Sequence, residues 1–110
     1  MEIRDNKTIC IIAPLSVKID KRRIERLTNI IQRETRKIAV DLKYVQDCTF
    51  EFIDFVKSLS NKDLSFINIP SDIFVLFNVM NLDKDVKLFV SELDFEEDNH
   101  QIINRKFIVV

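Results

Sequence analysis

Two successive stretches decide how this chain folds. The first is Lys37-Ile-Ala-Val-Asp-Leu42, which leads through Lys43-Tyr-Val-Gln-Asp-Cys-Thr49 into an apolar segment opening at Phe50. The second is Leu64-Ser-Phe-Ile-Asn-Ile69, which leads through Pro70-Ser-Asp72 into Ile73-Phe-Val-Leu-Phe-Asn-Val-Met80 and the turn Asn81-Leu-Asp83. Each starts as an apolar run of strand length and continues with apolar residues at helical spacing. The first helix of the pair runs from Phe50 to Ser60, with Phe52, Ile53, Val56 and Leu59 as its buried stripe and Phe55 at the margin. In the second, Ile73, Leu76, Phe77 and Met80 share a face. Val86 to Val90 follows as a short strand. The order βαβαβ calls for right-handed crossovers and a mostly parallel sheet.

Reading outward from these units, Met1 to Arg4 and Lys7 to Ala13 are strands joined at a two-residue turn, Asp5-Asn6. Thr8-Ile-Cys-Ile-Ile-Ala13 is almost continuously apolar, which suits a central strand covered on both faces. After Pro14, Asp20 precedes a helix from Lys21 to about Glu34, with Ile24, Leu27 and Ile31 inward. Its outer face carries Lys21, Arg22, Arg23, Arg26 and Arg33 interleaved with Glu25 and Glu34, a pattern of a solvated surface. Near the end, Ser91-Glu-Leu-Asp94 has the spacing of a helix cap.

Composition narrows the function classes. One domain of 110 residues, 46% apolar, is large enough for a globular core. Seventeen basic against eighteen acidic side chains give a net charge of −1, so no global field steers the chain to nucleic acid or an anionic membrane. No apolar run approaches the roughly twenty residues that span a bilayer, and Met1-Glu-Ile-Arg-Asp5 does not read as a signal peptide. Two cysteines, Cys10 and Cys48, read as free thiols in a reducing compartment, so a cytoplasmic location is expected. Glycine is absent. That excludes the standard Walker loop and dinucleotide fingerprint, which need glycine for backbone amides to approach phosphates. Asn29, Asn61, Asn68, Asn78 and Asn81 are left to supply positive φ, with Asn81 as the expected left-handed helix stop.

The segments "KIAVDLKYV", "LSFINIPSDIFVLFNVMNLD" and "VKLFVS" resemble the STAS domain, the sulfate-transporter and anti-sigma-factor-antagonist module of bacterial signalling. The resemblance implies an α/β fold, a single STAS-like domain over residues 1–98 with a mixed, mostly parallel sheet of four to five strands and flanking helices. Residues 99–110 would then be a C-terminal extension. In the family, the loop after the third strand ends in Asp-Ser-Ser-Gly at a helix start, and its first serine accepts phosphate from a partner kinase. A phosphate there meets unpaired amides and a favourable dipole. Counted without gaps, those four positions are Thr49, Phe50, Glu51 and Phe52; shifted by two, they are Asp47, Cys48, Thr49 and Phe50. Either count loses the serine. Thr49 is the one hydroxyl in the loop, the natural cap of the following helix before it is a phosphorylation candidate.

The resemblance places a partner-binding surface on Gln46, Asp47, Cys48, Thr49, Phe50 and Glu51. It implies transcription regulation by protein-protein interaction, the partner being a serine-kinase-like ATPase acting as an anti-sigma factor. Because the acceptor is degenerate, a full phosphorylation cycle is not expected. The alternatives are a STAS accessory subunit of a lipid-transport ABC ATPase, and a phenylalanine-lined carrier of a lipid or small ligand. No enzyme activity, cofactor or metal is expected. His100 is the single histidine, which leaves a His-Cys dyad or multi-histidine site little to build on. Cys48, just before a helix start, is either a low-pKa thiol or inert packing. The apolar end, Lys106-Phe-Ile-Val-Val110, suits addition to an open sheet edge, on its own domain or in a homodimer.

Overall fold

Ile9-Cys-Ile-Ile-Ala13 offers no polar residue to either side, and the computed structural model buries all five in an inner strand. That structure describes residues 1–59, 63–84 and 86–97. One sheet takes five strands in chain order: β1 (Glu2–Asp5), β2 (Ile9–Ala13), β3 (Lys37–Asp41), β4 (Leu64–Ile67) and β5 (Lys87–Leu88). β1 is antiparallel to β2, and every later pair is parallel. The expected α/β architecture is therefore present, with the two deciding strands as parallel neighbours, Ile38 beside Leu64 and Val40 beside Phe66.

Four helices connect or follow the strands: α1 (Lys21–Arg33), α2 (Phe50–Ser58), α3 (Ser71–Val79) and α4 (Glu92–Glu96). Because every parallel strand is added on the same side of the last, right-handed crossovers put α1, α2 and α3 on one face. The main core bears this out. Cys10, Ile12, Ile38, Val40, Leu64, Phe66 and Leu88 from the sheet meet Leu27, Ile31, Phe52, Val56, Ile73 and Phe77 from those helices. The rings of Phe66 and Phe77 lie 5.4 Å apart edge to face, and Phe52 is 6.0 Å from Phe66 and 6.2 Å from Phe77. These three phenylalanines fill the interior by packing on one another.

The opposite face is thinner. Ile9, Ile11, Ala39, Ile67 and Phe89 are covered there by Phe95 of α4. Lys37 ties that helix down: its ammonium donates to the Phe95 carbonyl at 2.8 Å and lies 4.6 Å from the Phe95 ring centre. A cation at a helix C-terminus and over an aromatic face is favourable on both counts.

Several boundaries differ from the sequence reading. The first turn is longer than two residues, because the Asn6 side chain accepts from both Thr8 N at 2.8 Å and Ile9 N at 2.9 Å and folds the backbone into an Asx turn. β4 stops at Ile67, where Asn68 takes φ of 51°, and α3 is followed by Asn81 at 59°, the expected left-handed stop. Phe55 is buried rather than marginal, since α2 is flanked by helices on both sides and needs a wide apolar face. Met80, expected inward, is exposed at the end of the outermost helix, and Asn78 is buried instead. β5 keeps two residues of the expected five. His100 and the segment 106–110 lie outside the described residues.

One surface cluster yields a pH prediction. Glu34, at the end of α1, accepts from Arg36 Nε at 2.7 Å and from the Arg36 and Thr35 amides. Those bonds, the Arg36 side chain first, hold its carboxyl well below the usual 4.5, at about 2. A depressed folded pKa stabilises above the unfolded value and loses that contribution as pH falls from about 4.5 towards 2. Carboxyl NMR should place the Glu34 midpoint near 2, and Arg36→Gln should return it towards 4.5. A wild-type midpoint already at the usual value would contradict the geometry.

Candidate functional site

In a parallel sheet, strand ends open into loops that lead to helices, and those loops collect the side chains free of packing duties. Here the loop from Pro14 to Asp20 after β2 and the loop from Leu42 to Thr49 after β3 lie side by side. They are joined by backbone. The Val17 carbonyl accepts from Gln46 N at 2.7 Å and Asp47 N at 3.1 Å, and Lys18 forms a parallel bridge with Asp47. Ile19, Leu42 and Val45 are buried beneath as anchors.

Between the loops lies an open cleft of about 510 Å³, lined by Leu15, Ser16, Val17, Lys43, Tyr44 and Gln46. Its apolar side chains are open to water: Leu15, Val17 and Tyr44 are each about half exposed. Phe50, at the start of α2 on the same end of the molecule, is 84% exposed. Lys43 lies 5.1 Å from the centre of the Tyr44 ring.

The sequence-predicted residues separate into two groups. Gln46, Asp47, Phe50 and Glu51 are exposed, whereas Cys48 and Thr49 are half-buried. Thr49 caps α2: its hydroxyl oxygen accepts from Phe52 N at 3.1 Å, and the hydroxyl donates to the Ile19 carbonyl at 3.1 Å. Both capacities of that hydroxyl are therefore engaged. Burial, reinforced by the charges of Asp72 and Asp47, pushes the Cys48 thiol up to about 11. A thiolate is thus disfavoured at neutral pH. Among the described residues no group of three His, Cys, Asp or Glu side chains could hold a metal ion.

Sequence reasoning missed the other half of the rim. Leu15 and Val17 flank Ser16 in the loop between Pro14 and Asp20, and both are about half exposed. It also missed what braces the cleft from behind. Asp41, fully buried at the end of β3, accepts from Lys43 N at 3.0 Å and from the Arg4 guanidinium at 3.2 Å. Arg4 also donates to Glu92 at 2.8 Å and Glu2 at 2.9 Å. Burial works to lower the Arg4 pKa, but its hydrogen bonds to Asp41, Glu2 and Glu92 outweigh that and hold it above its ordinary value. Arg4 and Asp41 together thus link β1, α4 and the turn that presents Lys43 and Tyr44. Among the described residues, no helix is long and apolar enough to cross a membrane. No family model and no curated protein matches this sequence.

Proposed function

We propose that this chain is a non-enzymatic protein-binding regulatory domain, resembling anti-sigma factor antagonists, whose partner docks on the loops above β2 and β3. The observation that carries this reading is the exposed apolar rim of Leu15, Val17, Tyr44 and Phe50 beside Gln46–Glu51. Large apolar and aromatic side chains held on a braced scaffold are the usual anchors of a protein interface. The partner in this reading is a kinase-like ATPase of the anti-sigma type. The engagement of the Thr49 hydroxyl in the α2 cap favours binding without a phosphorylation cycle.

Co-purification from the native cell, followed by affinity measurements on the partner identified, tests the proposal. Phe50→Asp and Tyr44→Asp should each weaken binding by about tenfold or more while leaving the melting temperature near that of the wild type. A kinase-fold ATPase as partner supports the reading. An ABC ATPase would move the chain to the transport-accessory class, and a tightly held lipid would make it a carrier. Unchanged affinity in both variants would place the interface elsewhere.

A further inference from the structure

β1 is an edge strand whose outer side is built to match itself. The Asn6 amide donates to the Ile9 carbonyl at 3.0 Å, which extends the β1–β2 ladder by one main-chain bond beyond Asp5 and Cys10. In an antiparallel ladder, bonded and non-bonded pairs alternate. Glu2 and Arg4 therefore turn their backbone groups towards β2, and Ile3 and Asp5 turn theirs away from the sheet. Ile3 also leaves half of its side chain exposed on this edge.

We propose that the β1 edge pairs antiparallel with β1 of a second copy of this chain, centred on Ile3. Three registers bring the outward groups of Ile3 and Asp5 opposite each other, and centring on Asp5 would set two carboxylates side by side, which is unfavourable. Centring on Arg4 would set two guanidinium groups side by side and put Ile3 opposite Asp5, which is unfavourable. Centring on Ile3 sets Ile3 against Ile3 of the other copy, with two main-chain hydrogen bonds between them. It also sets Glu2 against Arg4 in both directions. Opposite charges and paired β-branched residues directly across a ladder are the favourable combinations. Four residues make a small contact, so this is a weak, concentration-dependent dimer rather than an obligate one.

The geometry has a functional corollary. Antiparallel pairing at β1 reverses the second sheet, so the two clefts at the ends of β2 and β3 open in opposite directions. Such a dimer bridges two partner molecules and does not grip one twice.

Sedimentation velocity of the full chain over a wide concentration range should show the mass rising from one chain towards two. Ile3→Lys, which sets like charges at the centre of the contact, should stay at one chain with an unchanged melting temperature. In the wild type, the Ile3 amide should become protected from hydrogen exchange as concentration rises, a reading that does not depend on any variant folding. Phe107→Glu should dimerise as the wild type does. A wild type of constant mass would overturn the proposal, as it would if residues 98–110 of the same chain cover this edge. An Ile3→Lys protein that dimerises normally would place the contact elsewhere. A Phe107→Glu protein that stays at one chain would mean that the C-terminal segment makes the contact instead.

Discussion

Truncating Phe66 to alanine is expected to lower the unfolding free energy by about 3–5 kcal/mol. Phe66 is fully buried in β4, one of the inner strands, and its ring meets both Phe52 and Phe77. Those partners come from α2 and α3, so the cavity would open where two helices and the sheet converge. Each helix is fixed at its start, α2 by the Thr49 cap and α3 by the chain leaving β4, so neither can shift freely to refill the space. A domain of this size has roughly 5–15 kcal/mol to lose, and the variant should be visibly destabilised in urea. Phe50→Ala is the contrast. Its ring is almost wholly in water, so stability should change by no more than about 0.5 kcal/mol. A Phe66→Ala protein within about 1 kcal/mol of wild type would show that the aromatic cluster is not the centre of the core.

Removing Arg4 is the second large effect. Arg4→Ala leaves the Asp41 carboxylate buried with the Lys43 amide as its remaining partner among the described contacts. Asp41 is fully buried but Arg4 is about a third exposed, so the loss is expected to be about 1–3 kcal/mol, the cost of leaving a buried acceptor short of a partner. The loss should be cooperative: Asp41→Ala combined with Arg4→Ala should destabilise by less than the sum of the two single changes. Strict additivity in denaturant unfolding would mean that the two side chains do not share their energy. The double variant should also loosen the turn at Lys43 and Tyr44, because Asp41 holds its first amide.

The comparison of sequence and structure turns on which signals are local. β3 and β4 were legible because Ile38, Val40, Leu64 and Phe66 are apolar in runs flanked by turn residues. Asn81 was legible as a helix stop because a chain without glycine has few residues that tolerate a positive φ. The length of the first turn was not, since it depends on where the Asn6 side chain points. Nor was the Arg4–Asp41 pair, whose members are joined only after β2 has been placed between their strands. For the candidate site, the loop from Gln46 to Glu51 was expected from the resemblance and from its place between a strand and a helix. The cleft itself was missed because half of it comes from another loop, and nothing in Leu15 or Val17 alone says that Tyr44 will lie across from them.

The order of the strands bears on how the sheet is assembled in time. Each parallel strand docks against the one made just before it, so every pairing closes a loop of only one helix and its short connections. Such closures carry modest entropic costs, and none waits for a distant part of the chain. As the polypeptide leaves the ribosome, each finished unit presents the edge that the next will use. The process runs thin at the end, where β5 contributes two paired residues against four in each earlier parallel pairing. That margin is the natural place for the sheet to begin opening, at the edge opposite β1.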